Sequence, residues 1–256
     1  MQLHFQQLGR GEPLVLLHGL FGSGDNWFGV APGLAEKFHV FAPDLRNHGR
    51  SPHHPAMDYP LMAADVDKFF AGQQMGRACV IGHSMGGKVA MQFALDFPAR
   101  VQKLVVVDMA PRAYAPAHEE ILAALLALDL SRFQTRSQLE AALAPEIPSL
   151  SLRRFLLKNL GRDDQGRFVW KLNLRGVADN YFRLGEVLSP RPPFARPALF
   201  LRGGKSGYLN VTDGVEIQKL FPAAQIETIP TAGHWVHADA PQEFVRRVLE
   251  FLQMPA

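Results

Sequence analysis

One cysteine in 256 residues, Cys79, excludes an intrachain disulfide and points to a reducing compartment. Cys79 lies inside an apolar run and reads as a small buried hydrophobe rather than a nucleophile. No apolar run approaches the roughly 20 residues needed to cross a bilayer, so no membrane span is expected. The opening residues, Met1-Gln2-Leu3-His4-Phe5-Gln6-Gln7, are polar and lack a signal-peptide pattern, which makes a cytoplasmic protein the expectation. Dense basic runs are also missing. The 27 Lys and Arg barely exceed the 24 Asp and Glu, and Arg153-Arg154 and Arg246-Arg247 are isolated pairs. They read as solvated faces, so no nucleic-acid partner is expected. His48, His53 and His54 have no carboxylates or cysteines at metal-ligand spacing, so no metal site is expected. Gly9-Arg10-Gly11 resembles no phosphate loop and reads as a hairpin turn. Repeats and low-complexity segments are absent, and 47% hydrophobic with 20% charged residues excludes a disordered chain.

What is present is an alternation of strands and helices. Residues 14–17, 78–81, 101–107 and 198–201 are continuous apolar runs, the mark of strands covered on both faces. Residues 2–7 alternate as an edge strand, and 38–43 and 225–229 read as further strands. Helical spacing is expected at 26–37, 61–74, 88–95, 213–220 and 242–252. This order predicts an α/β fold with a mostly parallel central sheet and helices on both faces. The alternation stops at Asp108-Met109-Ala110-Pro111. From about 115 to 188 the apolar spacing is helical, over 121–128, 139–143, 150–160 and 177–188. The expected organisation is a core of 1–111 and 197–256, interrupted by a helical cap at 112–196.

Gly82-His83-Ser84-Met85-Gly86-Gly87 fits Gly-x-Ser-x-Gly between a strand and a helix, the setting a nucleophile elbow needs. A Cβ at Gly82 or Gly86 would crowd the adjoining strand and helix. Ser84 then sits exposed at a helix N-terminus, where partial positive charge favours a developing anion.

With this elbow, three further motifs occur in order: His-Gly-Leu-Phe-Gly-Ser at 18–23, Asp-Leu-Arg-Asn-His-Gly-Arg-Ser at 44–51 and Val-Asp-x-Ala-Pro at 107–111. Together they resemble the α/β-hydrolase superfamily over nearly the whole chain. The narrower likeness is to the small bacterial esterases of the YbfF type and the eukaryotic ABHD11-like abhydrolase-domain proteins. The resemblance implies the α/β-hydrolase fold, a serine hydrolase and no cofactor.

Ser84 needs a base to remove its proton. His234, in the loop Ala232-Gly233-His234-Trp235 after the last strand, fits. His237 competes, with packing against the final helix as its structural role. His18 and His83 flank the glycine loop and elbow, where structural hydrogen bonding is expected. The acid has two candidates. Many superfamily members place it in Gly-x-x-Asp after the strand at 198–201, but this chain has Gly203-Gly204-Lys205-Ser206 there. Asp213 follows, at a helix start where an N-cap would explain it. Asp108 ends the strand at 101–107, on the carboxyl edge of the sheet, and the narrower resemblance points to it. The oxyanion hole is expected from the backbone N–H groups of Met85 and Leu20. Asp44 and its neighbouring arginines are expected to brace the elbow loops by ion pairing. Phe21, Trp170 and Tyr181 are the candidate substrate-binding residues, with Phe155 and Phe182 as further possible liners. The expected partner is a small acyl ester, or an acyl-thioester. The same site would also suit perhydrolysis, acyl transfer or C–C bond hydrolysis. A catalytically silent binding protein would have lost a triad member, and here every member has a candidate.

Overall fold

The structure is a computed structural model that describes residues 1–254. The last two residues of the expected 197–256 core segment lie outside them. The chain runs β1 (Phe5–Leu8), β2 (Pro13–Leu17), α1 (Ala31–Ala35), β3 (His39–Pro43), α2 (Tyr59–Gly72), β4 (Ala78–His83), α3 (Met85–Asp96) and β5 (Val101–Val107). The segment after β5 carries α4 (Glu119–Ala127), α5 (Arg136–Ala142), α6 (Leu150–Leu157), β6 (Leu160–Arg162), β7 (Phe168–Trp170), α7 (Leu174–Asp179) and α8 (Tyr181–Leu184). The sheet resumes with β8 (Ala198–Gly203), α9 (Gly214–Leu220), β9 (Ala224–Ile229), α10 (Val236–Asp239) and α11 (Pro241–Gln253).

Seven strands form one sheet in the order β1-β3-β2-β4-β5-β8-β9, parallel except for β1. The central strands have apolar residues on both faces because both faces are covered. Val15 and Leu17 of β2 join the core beneath α2 and α3, while Leu14 and Leu16 face Trp27, Leu34 and Phe244 on the other side. β4, β5 and β8 alternate in the same way. The parallel strands that lead into Ser84, Asp108, Ser206 and His234, namely β4, β5, β8 and β9, end at the same edge of the sheet, where open α/β sheets bind ligands.

Three local expectations are corrected. Gly9-Arg10-Gly11 is not a hairpin turn, because β1 pairs with β3 and leaves β2 on β3's far side. The helix expected over 26–37 is split into a 3₁₀ turn, Gly24–Trp27, and the short α1. Gly29 and Pro32 account for the break, since proline fits only the first turn of a helix. The insertion is not wholly helical. β6 and β7 pair as a ribbon that ends α6 early. Asp163 closes its turn, accepting from the N–H groups of Gln165 at 3.0 Å and Arg167 at 2.8 Å. Among the described residues, no helix is long and apolar enough to cross a membrane.

Candidate active site

The elbow depends on two glycines. A Cβ on Gly82 would lie 2.1 Å from the Gly86 carbonyl oxygen, and one on Gly86 would lie 2.3 Å from that of Leu17. Backbone therefore touches backbone where β4 turns into α3. Ser84 takes φ 54 and ψ −120 at this turn. Only five non-glycine residues among those described have positive φ, and Ser84, Asp108 and Phe21 are three of them. Such conformations cost on the order of 1–3 kcal/mol each and persist where the surroundings impose them.

The structure brings Ser84, His234 and Asp108 together from three separate segments. His234 Nε2 lies 3.0 Å from Ser84 Oγ, and its Nδ1 lies 2.7 Å from Asp108 Oδ2. Asp108 is fully buried and both of its carboxylate oxygens accept hydrogen bonds. Oδ1 accepts from the Gly203 N–H at 3.0 Å, and Oδ2 also accepts from the Ser206 hydroxyl. Asp213 is engaged elsewhere. It pairs with Arg112 at 2.8 Å and accepts from the Asn210 N–H at 2.8 Å. Its side chain makes no N-cap bond to α9, contrary to expectation, because it closes the 3₁₀ turn that precedes the helix.

Around His234 the other histidines are held neutral. His83 Nε2 donates to the His234 carbonyl at 2.8 Å, and burial, then the neighbouring His234, pushes its pKa well down. His18 Nδ1 donates to Gly19 O at 2.8 Å while Nε2 accepts from the Leu45 N–H at 2.9 Å, which fixes one tautomer. His237 belongs to α10 and packs on Trp27 with ring centroids 4.5 Å apart. Burial, and secondarily His234, pushes His237 down to about 4. Beside the elbow the expected ion pairing is made by Arg46, while Asp44 is held by backbone donors instead. Asp44 accepts from the backbone N–H groups of Gly24 and Arg50, while Arg46 pairs with Asp65 at 2.6 Å.

These buried rings have a consequence for acid stability. The unfolded chain takes up protons near pH 6.5, whereas folded His237 resists until about 4. Above about 6.5 the two states bind equally few protons at this site. As pH falls from there toward about 4 the unfolded state is favoured, by on the order of 3 kcal/mol from His237 alone. Thermal melts across that window should show falling stability, and His237→Phe should flatten the slope. An unchanged slope in the variant would refute the assignment.

Two cavities meet at Ser84. One, of about 410 Å³, is lined by Met85, Leu184 and all four tyrosines of the chain, Tyr59, Tyr114, Tyr181 and Tyr208. The other, of about 360 Å³, is lined by Phe21, Trp27, Phe155, His234 and Trp235. Leu20 lines both. Met85 opens α3, where the first N–H groups of a helix have no intrahelical acceptor. Of the expected substrate contacts, Phe21 and Tyr181 reach these cavities, as do Phe155 and Phe182. Trp170 does not. Its place in β7 directs it to a surface depression with Leu125, Leu128 and Leu172.

Three residues at the site were given no role from the sequence. Ser206 binds Asp108, Tyr208 stacks on His234 with centroids 3.9 Å apart and planes 21° apart, and His118 lines both cavities. Ser206 stands where Gly-x-x-Asp would put a carboxylate, which is a usable signal. Tyr208 and His118 carry none. Lys88, one turn into α3, is also buried. Its Nζ donates to the carbonyls of Arg112, at 2.7 Å, and Glu186, and burial pushes its pKa down to about 8.

The sheet order, the elbow and the site at the strand ends define an α/β-hydrolase. A family description for the alpha/beta hydrolase fold matches residues 12–145, and the chain belongs to that family. Its relatives place it among the carboxylic ester hydrolases. It is 37% identical to a protein of Escherichia coli named Esterase YbfF, covering 94% of this chain and 93% of that one. It is 38% identical to a zebrafish (Danio rerio) protein named sn-1-specific diacylglycerol lipase ABHD11, over 97% of this chain and 81% of that one. A solved marine microorganism esterase is 43% identical with a TM-score of 0.95, covering 98% of this chain and 99% of that one.

Proposed function

We propose that this chain cleaves carboxylic esters through an acyl-enzyme, with Ser84 as nucleophile, His234 as base and Asp108 as the orienting acid. The observation that carries this reading is the unbroken path from Ser84 Oγ through both nitrogens of His234 to Asp108 Oδ2. Ser84 Oγ attacks the carbonyl carbon and its proton passes to His234 Nε2. The backbone N–H groups of Leu20 and Met85 receive the oxyanion. The intermediate collapses, the ester C–O bond breaks, and His234 returns its proton to the departing oxygen. Water then attacks the acyl-Ser84 carbonyl by the same route and releases the acid. Asp108 keeps the Nδ1–H tautomer and stabilises the imidazolium. The neutral His83 places no competing positive charge beside that imidazolium. Residues 112–196 form the lid over this site, and Phe21 and Tyr181 contact the substrate. An acyl-thioester would follow the same steps with a thiol as leaving group.

A fluorophosphonate probe should label Ser84, and p-nitrophenyl esters or acyl-thioesters of rising chain length should be turned over. A folded protein that neither takes the probe nor cleaves any member of either series would overturn the reading.

A further inference from the structure

We propose that His118 holds a second oxygen of the substrate, its ring Nε2–H donating to an ether, carbonyl or ester oxygen a few bonds from the ester that Ser84 cleaves. This assignment rests on ester cleavage at Ser84 and adds a specificity residue to it.

The tautomer of His118 follows from one hydroxyl. Tyr181 of α8 presents its oxygen to three nitrogens. It accepts from the Ala117 N–H at 3.0 Å and from the His118 N–H at 2.9 Å. A phenolic oxygen has two lone pairs and one hydrogen, so both acceptor positions are taken. The third nitrogen, His118 Nδ1, lies 2.8 Å from the same oxygen and receives its hydrogen. Nδ1 is therefore an acceptor, and the neutral ring carries its own hydrogen on Nε2. Burial, then the nearby His234, pushes the pKa of the ring down, which keeps it neutral. Phe21 and Tyr181 both meet the ring edge to face, with centroids 6.0 Å from it, and so fix its orientation.

This arrangement is the reverse of His234. There Nδ1 donates to Asp108 and Nε2 is free to take the Ser84 proton. His118 Nε2 has a hydrogen and no lone pair, so it serves as a donor and not as a base. Among the described residues, Nδ1 is the only ring nitrogen of His118 with a hydrogen-bond partner. The ring lines both cavities, together with Leu20, Ser84, Ala117 and Tyr208, so this uncharged donor stands where the cavities meet beside the nucleophile. A cation at that point would oppose the imidazolium of His234, and a neutral N–H does not. The hydroxyls of Tyr59 and Tyr114 are spent on Leu184 O at 2.6 Å and Tyr208 O at 2.7 Å, so those rings offer apolar faces only. A substrate with an oxygen at the junction gains a bond, whereas a methylene there leaves the N–H against hydrocarbon.

Two matched pairs of esters exchange one methylene for oxygen. Ethyl methoxyacetate against ethyl butyrate probes the acyl side, and methoxyethyl acetate against butyl acetate probes the alcohol side. The kcat/KM ratio within each pair is compared between the unaltered protein and its variants, so the intrinsic reactivity of the esters cancels. In His118→Phe at least one ratio should fall about threefold to tenfold, the scale of one neutral hydrogen bond. The pair that responds tells which side of the ester carries the bound oxygen. His118→Gln keeps an acceptor for Tyr181 and an N–H beyond it, and should retain most of the ratio. Tyr181→Phe releases the tautomer, so the same ratio should fall with His118 in place, and adding His118→Phe should lower it little further. Loss of bulk alone produces neither result. Both ratios unchanged in His118→Phe, or a fall in Tyr208→Phe alone, would overturn the assignment. If melting curves show that His118→Phe does not fold, the Tyr181→Phe ratios decide in the same way. An unaltered protein that neither takes a fluorophosphonate nor cleaves any of the four esters defeats ester cleavage itself. Cleavage with unmoved ratios defeats only the role of His118.

Discussion

Replacing Ser84 with alanine is expected to abolish ester hydrolysis while leaving thermal unfolding close to that of the unaltered protein. Two features support the pairing of these outcomes. The positive φ at position 84 is imposed by the contacts of Gly82 and Gly86, and alanine meets the same backbone strain as serine. The only bond removed is the one from Oγ to His234 Nε2 at 3.0 Å. Loss of the nucleophile in a serine protease costs roughly 10⁶-fold in kcat. Oxyanion donors and substrate binding alone leave a residual of about 10³–10⁴ over the reaction in water. Single-turnover and steady-state assays on purified Ser84→Ala, with a melting curve on the same sample, measure both. Full turnover by the folded variant would remove Ser84 from the mechanism.

Asp108→Asn should cost about 10⁴ in kcat, the scale seen when the orienting acid of a serine protease is made neutral. The structure gives a specific reason for the size. Asp108 accepts from three donors, the Gly203 N–H, the Ser206 hydroxyl and His234 Nδ1. An amide offers one acceptor and one donor group, so at least one donor meets another donor. If the amide NH₂ faces His234, the imidazole is driven to the tautomer that cannot take a proton at Nε2. Asp213→Asn should cost far less, because Asp213 spends its two oxygens on Arg112 and Asn210. Comparing kcat/KM for the two variants on one ester tests the pair. A large loss in Asp213→Asn with near-full activity in Asp108→Asn would reverse the assignment.

How far these residues could be read from the chain varied with how local their determinants are. β2, β4, β5 and β8 are legible because a strand covered on both faces needs an unbroken apolar run. The elbow is legible because its close approaches allow only glycine at 82 and 86. His234 is legible from its place after the last strand. Asp108 and Asp213 share the features a sequence displays, since both follow a strand or turn near the sheet edge. What differs is which donors surround each carboxylate, and those come from distant segments. The ribbon of β6 and β7 is hidden because Leu160 continues the spacing of α6 and each strand is only three residues long. Trp170 lines a different depression because its pairing with Leu160 in that ribbon, a contact between distant positions, fixes its place. Tyr208 left no mark at all, because its stacking on His234 arises only when a loop after β8 folds back over the loop after β9.

The buried ammonium of Lys88 ties the segment between β5 and β8 to the elbow helix. One charge on the helix that begins beside Ser84 holds the carbonyls of Arg112, just after β5, and Glu186, just after α8. Two stretches far apart in the chain are thereby clipped to one side chain of the helix that follows the nucleophile.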